Sequence, residues 1–496
     1  MNTLVDQIEA HILSGCTNNQ KRAIGTEIET ILYNSNGERI SVDRGAEYSA
    51  ADLIEDIDSG CKDINTFVTC SLEPGGQVEW ASRPAFNIHD IHKEWNDIQT
   101  ILKSACIDNR LTIVDLALDP IYSPNDIKLI NHRKYQLMND RFLTTGKHGQ
   151  WMMRNSASVQ VNLDLMDKKD AEECGFIADC ISPLAAILFS NAPFKNGRPI
   201  GYENIRYRIW EDTDPARCGH FLDHGILGAD GLLNQFCHYI LDVPVIYTTP
   251  DKNDNVGFHD GTIKQWLEST TENNELNSED IKTALHQIFT HGRYKTVLEI
   301  RSTDRPPKGY EFAPIAFWQA LMEQGKTRDI LLGEISNWSL SERMELNLKA
   351  STLDMNQLGP NNKTILQWFE WLAELVYDSL NERASKLDIE SEKKYIEPFF
   401  ENVLSKGVFT LQSQEQFTEK GISIKEFIMK KNAIIINTSR GGIINEKDLY
   451  NILKDKVFFN SVDKLLEKIN SDIKSGNNNY NLWSKFIPEL DPYNDR

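Results

Sequence analysis

The 496-residue chain lacks the features that would send it to a membrane, a disulfide scaffold or a nucleic-acid surface. No apolar run is long enough to cross a bilayer. Met1 to Ala10 lacks the basic and then apolar profile of a secretory signal, so the cytoplasm is the expected compartment. Cysteine is sparse: eight residues, none in a Cys-x-x-Cys pair and none beyond Cys237. That excludes a zinc ribbon and a disulfide framework. Basic residues number 53 against 73 acids, for a net charge of −20. Such a chain offers no general surface to nucleic acid or anionic lipid, although a local cationic pocket for a phosphate is still allowed. No Gly-x-x-x-x-Gly-Lys-Ser/Thr and no Gly-x-Gly-x-x-Gly occurs. A nucleotide would therefore have to be held by metal ions and arginines.

What is present is a globular composition, 40% hydrophobic and 25% charged, in a chain long enough for one large domain or two to three ordinary ones. The densest stretch is Ser71 to Trp80. Glu73 precedes the corner Pro74-Gly75-Gly76, and Gln77, Val78, Glu79 and Trp80 then alternate. Period two predicts a strand with Gln77 and Glu79 on one face. Two carboxylates and an amide on a rigid corner make an oxygen-rich set that suits Mg²⁺ or Mn²⁺ better than zinc. The plain alternative is an exposed acidic hairpin.

The pattern recurs along the chain. Arg22 to Tyr33 reads as a strand closed by Asn34-Ser35-Asn36-Gly37, with Gly25, Glu27 and Glu29 on one face and Ile24 and Ile28 on the other. Ser156 to Asp164 sets Ser158, Gln160, Asn162 and Asp164 against Val159, Val161 and Leu163. Ile205 to Ile209 reads as a strand with Arg206 and Arg208 on one face, and Val297 to Arg301 as another carrying Glu299 and Arg301. Leu111 to Leu118 and Asp242 to Tyr247 are further extended segments. Helical spacing marks Ile88 to Leu102, His132 to Met138, Phe176 to Phe189, Ile315 to Met322 and Thr364 to Leu380. The cations of the His132 helix face either a nucleotide or solvent. One acid pair on one strand is most simply a solvated face. Five acids (Glu27, Glu29, Glu73, Glu79, Glu299) and two arginines (Arg206, Arg301), each opposite an apolar stripe, describe a sheet with an apolar back covered by helices and a polar front lined with acids, a metal- and phosphate-handling funnel.

Six motifs, in order, resemble the glutamate–cysteine ligase family of the plant and proteobacterial type. They are Gly25-Thr-Glu27-Ile-Glu29, Ser71-Leu-Glu-Pro-Gly-Gly-Gln-Val-Glu79, Ser158-Val-Gln-Val-Asn-Leu-Asp164, Ile209-Trp-Glu-Asp-Thr-Asp-Pro-Ala-Arg-Cys-Gly219, Leu241-Asp-Val-Pro244 and Leu298-Glu-Ile-Arg301. The likeness covers about residues 20–325 and loosely reaches 385. It implies an α+β fold, a glutamine-synthetase-like curved antiparallel β-sheet bent into a funnel and backed by helices, with a small C-terminal appendage. It also implies ATP-dependent joining of the γ-carboxylate of glutamate to the amine of cysteine through an acyl phosphate, with Mg²⁺ (or Mn²⁺) as cofactor and ATP as co-substrate. By position, Glu29, Glu73 and Glu79 would hold one ion, and Glu27, Gln160 and Glu299 a second. Arg301 would face the phosphate or the donor carboxylate, and Arg206 would be the substrate-side arginine. Trp210, Thr213, Asn162 and Tyr135 would be further substrate contacts, and Arg208 has no counterpart. The partners implied are small molecules only: ATP, glutamate or a related acid, and cysteine or another amine.

Two departures stand out. Ser302-Thr-Asp-Arg-Pro-Pro307 follows Arg301 where the family usually has Gly-Ala-Asp, and the arginine of Met152-Met-Arg-Asn-Ser156 stands one position off the plant pattern. Ser302 and Asn155 are therefore expected to line an altered pocket. The alternatives are a specialised amide ligase with another donor or acceptor, and a non-catalytic binding protein on the same fold. At the other end, Met429 to Tyr450 resembles a short piece of the D-2-hydroxyacid dehydrogenases, in which the arginine matching Arg440 binds a substrate carboxylate. No dinucleotide glycine motif precedes it and about fifty residues follow, too few for the rest of a doubly wound domain. The expected organisation is a catalytic domain of residues 1–385 and an accessory region of residues 386–496 without redox activity.

Overall fold

Strands that are apolar on one face only must pair edge to edge and be covered on that face. Seven do so in the computed structural model, which describes residues 3–17, 21–45, 47–63, 69–250, 255–271 and 275–431. They are β1 (Ile24–Tyr33), β2 (Thr69–Leu72), β3 (Val78–Ala81), β4 (Thr112–Val114), β5 (Ser158–Asp164), β6 (Gly292–Tyr294) and β7 (Val297–Asp304). Their order is β6-β7-β5-β1-β3-β2, with β4 paired to the far end of β1, and every pairing is antiparallel.

Ile24, Ile28, Val78, Trp80, Val159, Val161, Leu163, Leu298 and Ile300 are buried on the back of the sheet. Helices α1 (Ile88–Asp108), α4 (Lys168–Leu188), α6 (Ala313–Met322) and α7 (Ile365–Leu387) share that core. α6 is buried along its whole length, as a helix apolar on every side apart from Gln319 requires. Helices α2 (Arg133–Thr145), α3 (Gly149–Asn155) and α5 (Ile205–Glu211) belong instead to a smaller core built on Met138, Phe142, Met152, Met153, Ile209 and Trp210. Among the described residues no helix is long and apolar enough to cross a membrane.

The packed unit runs from Met1 to Ile428, past the boundary drawn from the sequence at residue 385. Phe399, Phe400 and Val403 of the helix Glu397–Lys406 are fully buried in the main core. The second unit, Met429–Arg496, contains the Arg440 segment and lies outside the described residues apart from Met429 to Lys431.

Three expectations change. Ile205–Glu211 is a helix, so Arg206 and Arg208 lie about 200° apart around it rather than side by side. Arg206 is 3% exposed, whereas Arg208 is in solvent and pairs with Glu203 at 2.5 Å. The extended run at Leu111 to Leu118 forms a strand only over Thr112–Val114, with one isolated bridge from Leu118 to Ser156. Asp242 to Tyr247 makes one isolated bridge, Pro244 to Thr262, and no strand.

The corner before β3 is fixed by backbone approach. A Cβ on Gly75 would stand 2.3 Å from the carbonyl oxygen of Arg154, and Gly76 has φ +78°. The atoms that Cβ would meet, the O, Cα and C of Arg154, all belong to backbone, so no neighbouring side chain can yield. Gly75→Ala is expected to lower stability by about 1–3 kcal/mol or more, read as a lower urea midpoint, and to lower activity by moving Glu73. An unchanged midpoint would show that the corner is not held this way.

Candidate active site

The front faces of β1, β3, β5 and β7 enclose a cavity of about 230 Å³. Register decides what enters it. Glu29 lies opposite Glu79 across β1 and β3, Glu27 opposite Gln160 across β1 and β5, and Glu299 opposite Asn162 across β7 and β5. Glu73 joins them from the turn, where its N–H donates to the carbonyl of Gln77 at 2.9 Å and its carbonyl accepts from the N–H of Gly76 at 2.8 Å. From the opposite side α2 contributes Lys134 and Tyr135, α3 contributes Met152 and Met153, and α5 contributes Arg206 and Trp210.

The pairing of β7 with β5 slips between Ile300 and Thr303, so that Asp304 stands opposite Ser158. This bulge puts Asp304 on the cavity side, where an unbroken ladder would have turned it to the back. There it takes Arg206 Nη1 at 3.4 Å and the backbone N–H of Asn191 at 2.8 Å.

The cavity has two electrostatic poles. At one, four carboxylates crowd together. Burial, then the charge of Glu73, pushes Glu29 up to about 7. Burial also raises Glu79 well above its usual range, aided by Glu73, Glu27 and Glu29. Glu73 is raised by burial and Glu27 against the pull of Lys134, and Glu27 by burial and Glu299. At the other pole burial works to raise Glu299, but Arg293, Lys295 and Arg301 together hold it well below the ordinary range. Arg293 Nε donates to it at 2.6 Å and Arg301 Nη1 at 3.0 Å, and the Lys295 ammonium pairs with its other oxygen. The Arg301 guanidinium sits 5.3 Å from the Trp210 ring centroid and 5.9 Å from that of Phe289. Among the described residues the Nε of Arg206, the Nε of Arg301 and the indole N–H of Trp210 are buried and find no hydrogen-bond partner. Such groups cost stability unless a ligand supplies an acceptor.

This arrangement accepts part of the expected metal set. Glu29, Glu73 and Glu79 are hard oxygen donors, with their negative charge raised in energy by mutual repulsion, and a divalent cation would relieve that repulsion. They fit such an ion by charge. Among the described residues no three carboxylate, imidazole or thiol groups already stand in a chelating cluster. Glu29 instead accepts from Ser158 N at 2.8 Å and from Gln160 Nε2 at 3.2 Å, and Glu79 from Ser71 Oγ at 3.2 Å. The expected second set does not fit. Both oxygens of Glu299 are taken by three cations, and Gln160 Oε1 accepts from Arg301. Only Glu27 of that set keeps an oxygen without a strong partner, its Oε1 accepting from Asn162 Nδ2 at 3.2 Å.

Several substrate-side expectations also change. Trp210, Tyr135, Arg206 and Arg301 line the cavity. Thr213 does not: it is fully buried and its hydroxyl back-bonds to the carbonyl of Ile209 at 2.7 Å. Asn162 lies beyond Glu27 in a separate cleft of about 180 Å³, shared with Gly25 and Asp164. Asn155 is buried and donates to the carbonyl of Tyr122, and the hydroxyl of Ser302 is buried and has no partner among the described residues; neither lines the cavity. Arg154 turns outward to the carbonyls of Pro124 and Ile127 and to Asn139. Gln77 reaches the cavity wall, but its amide is spent on Gly75 N and the carbonyl of Ser156, which ties the corner to the start of β5.

The sequence reading missed Arg293, Lys295 and Asp304. The first two alternate in Gly292-Arg-Tyr-Lys295, and Arg293 faces Glu299 across a tight hairpin, an opposite-charge pair that was legible in principle.

The family model for glutamate-cysteine ligase family 2 matches residues 23–425. A model for the NAD-binding domain of D-isomer-specific 2-hydroxyacid dehydrogenases matches residues 390–464. The chain is 28% identical to glutamate–cysteine ligase A, chloroplastic, of Oryza sativa subsp. indica, over 69% of this chain and 72% of that protein. It is 29% identical to the chloroplastic glutamate–cysteine ligase of Arabidopsis thaliana, over 69% and 67%. These chloroplastic relatives lend nothing to the cytoplasmic expectation. A crystal structure of the Francisella tularensis glutamate–cysteine ligase in complex with AMP superposes with a TM-score of 0.53 at 10% identity, covering 92% of this chain and 94% of that one, which is a likeness of fold.

Proposed function

We propose, from the premise that the chain belongs to glutamate-cysteine ligase family 2 and is a ligase, that it joins the γ-carboxylate of glutamate to the amine of cysteine at the expense of ATP. One observation carries the reading. A single cavity sets four repelling carboxylates against buried arginine and indole N–H groups that have no acceptor. Cations and oxyanions together complete such a site, and an ATP-dependent carboxylate–amine ligase has both to offer.

In the proposed sequence the donor carboxylate lies against Arg206, Arg301 and the Trp210 indole N–H. Asp304 holds the Arg206 guanidinium in place. Glu299 does the same for Arg301. A carboxylate oxygen attacks the γ-phosphorus of ATP, the bond to the leaving oxygen of ADP breaks, and an acyl phosphate forms. Arg301 offsets the charge gathering on the transferred group. A divalent ion held by Glu29, Glu73 and Glu79 would supply charge to offset the repulsion between two anionic reactants. The amine then attacks the carbonyl, the bond to the phosphate oxygen breaks, the proton given up by the amine leaves with the phosphate, and the amide remains. The wall of Met138, Met152, Met153 and Phe289 keeps water from the acyl phosphate until then.

The test is a screen of paired amino acids for ADP and phosphate release, with mass spectrometry of the product. Glutamate with cysteine should give equal amounts of ADP, phosphate and a γ-linked dipeptide. Release with a different pair would keep the ligase and change its substrates. ATP turnover indifferent to every amino acid would refute the reading.

A further inference from the structure

We infer that Lys134 is a substrate-binding residue of this cavity, taking an oxyanion, carboxylate or phosphate, of one of the reactants; this rests on the ligase reading above. Five cations line the cavity: Lys134, Arg206, Arg293, Lys295 and Arg301. Four have a carboxylate. Arg206 pairs with Asp304, and the other three share Glu299. Among the described residues no carboxylate comes within ion-pairing distance of Lys134. Its ammonium lies over two rings, 5.3 Å from the Tyr135 centroid and 5.4 Å from that of Tyr247. A cation–π seat fixes the head while spending none of its three N–H donors.

The local backbone sets Lys134 further apart from the other four cations. Lys134 sits in the first turn of the 13-residue helix α2, which has no acid in that turn. A helix start carries partial positive charge and ordinarily collects acids, so a lysine there is opposed by its own helix. The position is half-buried, and burial lowers the lysine pKa, partly offset by Glu73. A cation that is desolvated, set against a helix dipole and left without a counter-ion is costly to keep. An incoming anion repays that cost. The rival role is simpler: Lys134 could serve only as a diffuse counter-charge to Glu73 and Glu79, the two acids that act on it.

The experiment separates these roles. Lys134→Met and Lys134→Gln are assayed beside Lys134→Arg, with KM measured for ATP, the donor acid and the acceptor amine in turn, the other two saturating. An acceptor lacking its carboxylate is compared with the intact one. Loss of a charged hydrogen bond predicts that KM for one reactant rises about 10- to 100-fold. The other two should move less than about threefold, and Lys134→Arg should recover most of the affinity. A rise in KM for ATP assigns the oxyanion to phosphate. A rise for an amino acid assigns it to that acid's carboxylate, and if the acceptor is the one, its decarboxylated analogue will bind wild type and variant alike. All three KM values within about twofold of wild type, with only the Mg²⁺ requirement altered, would overturn the inference. Wild-type protein that turns over ATP with no amino-acid pair would refute the ligase reading instead. Calorimetric titration of wild type and Lys134→Gln with ATP, glutamate and cysteine in turn would then still judge Lys134: at least about tenfold weaker binding of one of them by the variant supports the inference, and equal affinities for all three overturn it.

Discussion

Glu79→Gln is expected to lower turnover by about a hundredfold or more at millimolar Mg²⁺, and to leave the metal-free protein more stable at alkaline pH than the wild type. The first effect follows from removing one of three carboxylates proposed to hold the ion, a loss of about 2.7 kcal/mol or more in transition-state stabilisation. The second follows from linkage. Glu79 and Glu29 are raised above the usual value of 4.5, Glu29 to about 7. A carboxyl raised on folding binds its proton more tightly in the native state. Its contribution is fully present below pH 4.5 and is lost as pH climbs through the raised value. The metal-free wild type should therefore lose stability from about pH 5 to above pH 7, and Mg²⁺ should restore more of it at pH 8 than at pH 6. An amide at position 79 carries no charge and should flatten that slope. Thermal unfolding at pH 6 and pH 8, with and without Mg²⁺, checks both. The same slope in the variant and the wild type would show that Glu79 is not part of the strained cluster.

Arg301→Ala should be the most damaging single change in the cavity, lowering kcat by about a thousandfold. Loss of one preorganised donor to a developing oxyanion costs about 10²- to 10³-fold, and loss of an arginine beside a transferring phosphoryl about 10³- to 10⁵-fold. Arg301 also acts on both poles, since its Nη1 donates to Glu299 and Gln160 while its charge pulls Glu29 and Glu73 downward. Arg301→Lys keeps the charge and loses the planar fork, so it should recover only part of the rate. Steady-state kinetics at saturating substrates decides. A kcat within tenfold of wild type would remove Arg301 from the chemistry.

The front of the sheet was legible because period two is hard to imitate over ten residues. β1 and β5 fall within two residues of where alternation put them, with Glu27, Glu29 and Gln160 on the expected face. Short segments were not legible. Arg206-Tyr-Arg-Ile-Trp210 satisfies a strand pattern and a helix pattern equally, and only packing of Ile205, Ile209 and Trp210 into the smaller core selects the helix. The bulge at Ile300 to Thr303 cannot be read from residue types, so Asp304 was passed over as the partner of Arg206. Glu299 shows a deeper limit. Alternation placed it correctly in the cavity, yet its role depends on Arg293 and Lys295 across a hairpin, and a face assignment says nothing of who stands opposite.

The most direct test is crystallographic: soak crystals with Mn²⁺ and a non-hydrolysable ATP analogue and map the anomalous scattering. The ligase account predicts a peak bounded by Glu29, Glu73 and Glu79, with the analogue's phosphates reaching toward Arg301. A nucleotide bound elsewhere, or an occupied cavity with no ion against those three carboxylates, would contradict it.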